Sequence, residues 1–305
     1  MKSFIIKSII IVAGLLLIDF TIGKVMDYVI AHFGMKGDYL KIDYMLKESQ
    51  DDIIILGASD AICSTIPTIM EDSLSMTCYN GGCSSQQLPF FDAMLQSLIL
   101  RHKPKMLLLS LNPEALTSES YGRFSLLKPY YNTIYPTIDS TLIKVEGDKS
   151  VLLNSSFYRY NTVGFRIFLS YIVDRGSRKN KGFSPKKLNG NYPDLLPERN
   201  DDKDFKDMPC EHLSNIIKCC KDNDIRLFVY VTPKYKDYGT KGEMTIGCKR
   251  IKEFCDKDNI AFLDYSQSFL KHEEFFYDNV HLNEKGANIF TDMLIHDIKR
   301  MNYSN

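Results

Sequence analysis

A chain of 305 residues can form one large domain or two small ones. Its 44% hydrophobic and 25% charged residues are ordinary for a globular protein, and 18 Tyr and 18 Phe supply core material where Trp is absent. Basic and acidic residues balance at 38 each, so the formal net charge is zero and no electrostatic footprint for nucleic acid is present.

The N-terminus departs from a soluble pattern. MKSFIIKSIIIVAGLLLIDFTIG carries Lys2 and Lys7, an uncharged run from Ser8 to Ile18, and then Asp19. A helix from Phe4 to Ile22 has 19 residues, and at about 1.5 Å per residue it spans roughly the bilayer core. No small-x-small cleavage site follows. The pattern is read as an uncleaved signal anchor, with a cleaved signal peptide and a buried core helix as the alternatives. Lys2 and Lys7 place the N-terminus in the cytoplasm and the bulk of the chain outside, at the periplasm or cell surface.

Residues 25–50 then form a connector with a short helix. DDIIILG (51–57) is a continuous apolar run of the kind that makes a buried parallel strand. TIPTIMEDSL is a turn and a helix, SMTCYNGG a second strand, QLPFFDAMLQSLILRHKP a helix and KMLLLSLNP a third strand. The rhythm breaks at about 113–208, where a Tyr-rich segment, a Lys-rich loop and a mixed-charge run stand. Within this stretch FYRYNTVGFRIFLSYIVD is a candidate helix. Strands at RLFVYVTP and IAFLDYS follow, each between helices, and NEKGANIFTDMLIHDIKRM closes the chain with Asn283 as N-cap.

Alternating strands and helices predict an α/β protein: a three-layer, flavodoxin-like fold with a mainly parallel five-stranded sheet. The expected organisation is an anchor helix at 1–24, a connector at 25–50 and an α/β domain at 51–305. The 113–208 stretch is an insertion at the carboxyl end of the third strand, the edge where open parallel sheets bind ligands. The eight cysteines form no CxxC pair, so no metal site is expected, and no cofactor. An exported location permits disulfides, but Cys78 in a strand and Cys248 and Cys255 on one helix read equally as buried thiols.

Three strand ends carry candidate chemistry. LGASDA puts Ser59 in the turn after the first strand, where a serine is either a nucleophile or an N-cap. YNGG supplies glycines that allow tight geometry and close ligand approach, or merely a turn. SLNP puts Asn112 at the tip of the third strand, where it can donate toward a site above the sheet or form an Asx-turn before Pro113. FFYDNVHLNEKG adds Asp278 and His281, three residues apart before the last helix. A serine, oxyanion donors and an Asp–His pair at one sheet edge are what nucleophilic acyl transfer needs. The remaining histidines (32, 102, 212, 272 and 296) show no matching partners in the sequence.

These four blocks, in this order, resemble the SGNH/GDSL hydrolase superfamily over about residues 51–112 and 209–300. The resemblance implies Ser59 as nucleophile, Gly82 (with Gly81 as the alternative) and Asn112 as oxyanion donors beside the Ser59 N–H, and Asp278 and His281 as the remaining triad members. The pattern departs at Ala58, where the family has Asp, at Ser110, where it has Gly, and at Pro113, where it has Asp. These departures are similar to a divergent membrane-anchored branch that moves acyl groups on cell-envelope polysaccharides. The implied activity is a serine-dependent esterase or O-acyltransferase on acyl esters, acetyl above all, of cell-envelope carbohydrate. The implied partners are a carbohydrate or acyl-ester substrate, the membrane through the N-terminal helix, and a membrane protein that donates the acyl group. Nucleic acid is not among them. A catalytically inactive protein of the same fold that binds glycan or scaffolds polysaccharide assembly is the alternative, and an unrelated flavodoxin-like binding domain is a third.

Overall fold

The computed structural model describes residues 1–33, 37–161, 163, 164, 180–187, 204–235 and 244–302. The chain divides into two compact units, Met1–Leu40 with Phe124–Arg175, and Lys41–Arg123 with Gly176–Asn305. The stretch expected as a single insertion is therefore shared between them. Its segment at 188–203, and most of the candidate helix beyond Gly164, lie outside the described residues.

In the first unit, α1 (Lys2–Phe33) is one continuous helix, and α2 (Asp38–Lys47) comes next in the chain. Helix α1 does not stop at residue 24, because no proline interrupts it and Gly23 is accommodated within the helix. Its Lys2–Ile30 stretch is long and apolar enough to cross a membrane, with a mean hydropathy of 2.4, and a signal sequence would have the same character. Gly23 lies close to the Ser156 side chain, and a Cβ there would stand 2.4 Å from Ser156 Oγ. The tyrosines of this unit serve packing and hydrogen bonding. Tyr130 and Tyr135 are buried edge to face, with ring centres 6.3 Å apart. Tyr158 donates to Glu146, which also pairs with Lys128 at 2.8 Å, at the end of α6 (Pro136–Glu146).

The second unit is built on five parallel strands: β1 (Ile53–Leu56), β2 (Cys78–Asn80), β3 (Met106–Ser110), β4 (Arg226–Val231) and β5 (Ala261–Asp264). Their order is β2-β1-β3-β4-β5. All pairings are parallel, with Ile53 opposite both Cys78 and Met106. This is the expected three-layer, flavodoxin-like architecture. The strands are apolar along their lengths because both faces are covered, and their polar residues (Asn80, Ser110, Arg226 and Asp264) stand at strand ends. Ile53, Ile55, Leu108, Phe228 and Tyr230 share a core with Phe290, Leu294 and Ile298 of α9 (Glu284–Asn302). The same face is packed by α3 (Ser59–Ser64) and α4 (Pro67–Leu74). The alternate positions Ile54, Leu107 and Val229 point to the opposite side. There α5 (Leu88–Leu98) packs on α7 (Asp207–Asp222), which also touches β4. Helix α8 (Ile246–Lys257) covers β5 and is N-capped by Thr245, whose Oγ1 accepts from Cys248 N at 3.1 Å. All eight cysteines are free thiols, seven of them buried.

The crossovers from β1 run toward β2 and, by way of α5, back to β3, so the strand order reverses between β1 and β3. Ser59 follows β1 and Asn112 follows β3, on the two sides of that switch point. Gly57 makes the exit from β1 possible. A Cβ there would lie 2.6 Å from Ala61 Cβ and 2.8 Å from Ser110 Cβ. Gly57→Ala is therefore expected to destabilise the protein by about 1–3 kcal/mol through overpacking, read as a lowered urea midpoint with an unchanged slope.

Candidate active site

Ser59 opens α3, whose first-turn backbone N–H groups have no intrahelical acceptor. Its hydroxyl lies 2.7 Å from His281 Nε2, across 222 residues of sequence. His281 Nδ1 faces Asp278 Oδ2 at 2.8 Å and Oδ1 at 3.0 Å. The three-residue spacing has a local cause. Asp278 Oδ1 also accepts the backbone N–H groups of Val280 (2.9 Å) and His281 (2.8 Å), an Asx-type turn that brings the ring back onto its own carboxylate. Asn283 fixes the loop from the other side. It donates to the carbonyls of Glu274 and Phe276, and its Oδ1 accepts from Gly286 N at 3.0 Å, so it is the N-cap of α9. Gly286 is needed where α9 starts, because a Cβ there would stand 2.2 Å from the Phe275 carbonyl oxygen.

Partial burial works to raise the Asp278 carboxyl. The hydrogen bonds from the His281 ring and from the two backbone N–H groups outweigh it and lower the pKa to about 2. The folded value lies below the ordinary 3.8, so the stabilisation is present above about pH 4 and is lost as the pH falls to about 2. A carbon-detected NMR titration is expected to find the Asp278 carboxyl titrating near 2.

Asn112 lies at the carboxyl end of β3. Its Oδ1 accepts from Lys234 Nζ at 3.1 Å. That bond fixes the amide orientation and leaves the Nδ2 hydrogens for the cleft that Asn112 lines. Lys234 follows β4 and is itself buried, also donating to Thr232 Oγ1 (3.1 Å) and Asp60 Oδ2 (3.2 Å). Asp60 stands beside Ser59 and is 3% exposed. Burial works to raise its carboxyl, but the Lys234 ammonium, with a contribution from His281, holds it below the ordinary carboxylate value. Sequence reasoning missed this cluster. Its one signal was a lysine placed, like Asn112, just after a buried strand. It also missed the buried His212–Asp92 pair, 2.7 Å apart, between α7 and α5.

Gly82 does not join the group. Its N–H donates to Asn80 Oδ1 at 3.1 Å, and its carbonyl accepts from the buried Lys41 ammonium at 3.1 Å. Gly81 N is likewise spent on the Ile55 carbonyl at 2.9 Å. Both N–H groups that the resemblance implies as oxyanion donors are thus engaged within the protein. YNGG is instead a staple, in which Asn80 Nδ2 donates to the carbonyls of Ala61 (2.9 Å) and Thr65 (3.0 Å) at the end of α3.

A cleft of about 850 Å³ begins at Ala58 and Asn112 and is lined further by Gln86, Glu114, Thr117 and Lys206, among others. Gln86 is buried, with its Nε2 on the Arg123 carbonyl (3.1 Å). Its Oε1 has no hydrogen-bond partner among the described residues. No group of three or more metal-ligating side chains occurs among the described residues.

Removing the Lys234 charge strands a buried carboxylate. Lys234→Met is expected to cost about 3–5 kcal/mol, and the double variant Asp60→Asn/Lys234→Met to recover most of it, as measured by denaturant midpoints.

No family model and no curated protein matches the chain. Among solved structures it is similar to a chain described as a candidate acylhydrolase from Bacteroides fragilis. Identity is 9%, the TM-score 0.41, and 84% of this chain and 89% of that one are covered. It is similar to the psychrotrophic esterase EstA from Pseudoalteromonas sp., at 10% identity and TM-score 0.40, covering 83% and 100% of the two chains. It is similar also to a family two carbohydrate esterase from Clostridium thermocellum in complex with cellohexaose. There identity is 9% and the TM-score 0.35, over 82% of this chain and 63% of that one. Likeness at this level bears on neither activity nor substrate.

Proposed function

We propose that the protein is a membrane-anchored serine esterase or O-acyltransferase of the SGNH/GDSL kind, acting on acyl esters of cell-envelope carbohydrate, acetyl esters first. The observation that carries this reading is the continuous chain from Ser59 Oγ through the His281 ring to Asp278, with steps of 2.7 and 2.8 Å. A serine is a weak nucleophile until an adjacent base takes its proton, and a base works best when a third group holds its ring.

In the proposed reaction Ser59 Oγ attacks the ester carbonyl carbon while His281 Nε2 takes the hydroxyl proton. Asp278, held as a carboxylate, stabilises the imidazolium and keeps Nδ1 protonated. The carbonyl oxygen becomes an oxyanion, met by the Ser59 N–H and by Asn112 Nδ2 in the orientation that Lys234 sets. The carbon–oxygen bond to the alcohol then breaks, and His281 returns the proton to the leaving oxygen. The acyl group remains on Ser59. An incoming hydroxyl gives its proton to His281 and attacks the acyl-enzyme carbonyl; the bond from the acyl carbon to Ser59 Oγ breaks, and His281 returns the proton to Oγ. If that hydroxyl is water the product is an acid. If it belongs to a sugar the product is a new ester.

The polar lining of the cleft next to Asn112 supports a substrate rich in hydroxyl groups. The unsatisfied Gln86 Oε1 is an acceptor of the sort that a sugar hydroxyl can meet. The apolar α1 supports anchoring, and Lys2 and Lys7 ahead of its apolar run support a cytoplasmic N-terminus with the site outside.

The test is hydrolysis of p-nitrophenyl acetate by the full-length protein in detergent. Ser59→Ala and His281→Ala are expected to abolish turnover above background. Asn112→Ala is expected to lower kcat by about 10²–10³ with a smaller effect on KM. A folded wild-type protein that neither hydrolyses the ester nor moves acetyl to an oligosaccharide would overturn the reading in favour of a binding or scaffold role.

A further inference from the structure

The first unit has a corner at residues 151–157 with two distinct faces. Leu153, Ser156 and Tyr160 are buried. Val151, Leu152 and Phe157 point outward and are 69, 43 and 62% exposed. The corner is held together by Ser155 N on the Leu152 carbonyl (2.9 Å) and Asn154 Nδ2 on the Val151 carbonyl (3.1 Å). Such a set of large apolar side chains on a closely bonded turn is an unusual thing to offer to water.

The position of the corner along α1 suggests what covers it. Asp19 is the first acidic residue after the apolar run of α1. Its carboxylate accepts from Ser155 Oγ (2.6 Å), Ser156 N (2.9 Å) and Phe157 N (2.8 Å). A carboxylate is costly within hydrocarbon, so a helix that crosses a bilayer keeps such a residue at the boundary. One turn on, the Lys24 ammonium stands 5.5 Å from the Phe20 ring centre, an aromatic–cation pair suited to the headgroup layer. The three bonds to Asp19 therefore tie Phe157 and its neighbours to the depth at which α1 leaves the hydrocarbon. Tyr160 OH fastens the following turn to Asp27 Oδ1 at 2.8 Å, further along the same helix.

We propose that Val151, Leu152 and Phe157 form a second membrane contact, seated in the interfacial layer of the bilayer that α1 crosses. The inference rests on α1 being a membrane anchor. It adds that the 151–157 corner rests on the lipid surface, so that α1 is not the sole membrane contact of the unit. The partner is lipid because hydrogen bonds to Asp19 hold the corner with these exposed side chains at the end of the apolar run of α1.

The absence of Trp makes the test direct, since each introduced indole is the sole one in the chain. The full-length protein carrying Leu16→Trp, Val151→Trp or Phe157→Trp would be reconstituted into phosphatidylcholine vesicles. The acyl chains would be brominated either near the headgroup or near their ends. We expect Leu16→Trp to be quenched by the deep bromines. Val151→Trp and Phe157→Trp should emit at short wavelength and lose most of their emission to the shallow bromines. Quenching of Leu16→Trp alone, with long-wavelength emission from the other two, would leave the anchor in place and overturn the proposal. Short-wavelength emission from Phe157→Trp without quenching by either lipid would also overturn it, because protein would then cover the corner. Failure of all three to be quenched would refute the anchor itself and the second contact with it.

Discussion

β1 has to leave the sheet where α3 and β3 leave no space for a side chain. Gly57 meets that constraint, with Ala61 on one side and Ser110 on the other. The consequence is positional. With α3 this close to β3, the residue that opens α3 and the loop that follows β3 stand on the two sides of one switch point. Ser59 and Asn112 occupy those places because of strand order, and each is supported by residues from elsewhere in the chain. The loop with Asp278 and His281 reaches the same edge because Asn283 and Gly286 lock it to the start of α9.

Two aspartates near the serine have different work, set by their surroundings. Asp60 is buried and matched by Lys234, so its charge serves to hold the lysine, and the lysine in turn holds the Asn112 amide. Asp278 is partly exposed and takes its hydrogen bonds from His281 and the Asx turn. A carboxylate already paired with an ammonium has little left to offer an imidazole, whereas one paired with an imidazole can stabilise the charge that ring acquires. Environment rather than distance from Ser59 along the chain assigns the two roles.

The first unit is organised around a single long helix. Its long helix has an apolar half whose large side chains are exposed and a second half that carries Asp19, Gly23 and Asp27 as fittings for the 155–160 turn. Tyr130, Tyr135 and Tyr158 are packed or hydrogen-bonded within the unit. Residues 113–208 thus contribute structure to both units.

What the sequence determined alone is what short-range physics controls. Continuous apolar runs such as IIIL and MLLLS marked the buried strands, and 3.6-residue spacing marked the helices between them. The apolar run near the N-terminus marked a helix long enough for a membrane. The Asp278–His281 spacing was legible because a carboxylate three residues before a histidine can hold both its backbone and its ring. Tertiary structure decided everything that depends on competition for partners. Whether Gly82 N–H was free could not be read from YNGG, because its acceptor, the Asn80 side chain, is set by the packing of α3. Lys234 looked like any lysine after a strand until β4 took its place beside β3 and put it within reach of Asp60 and Asn112. A hydrogen bond acts over about 3 Å, and only the order and register of the strands say which distant residues come that close.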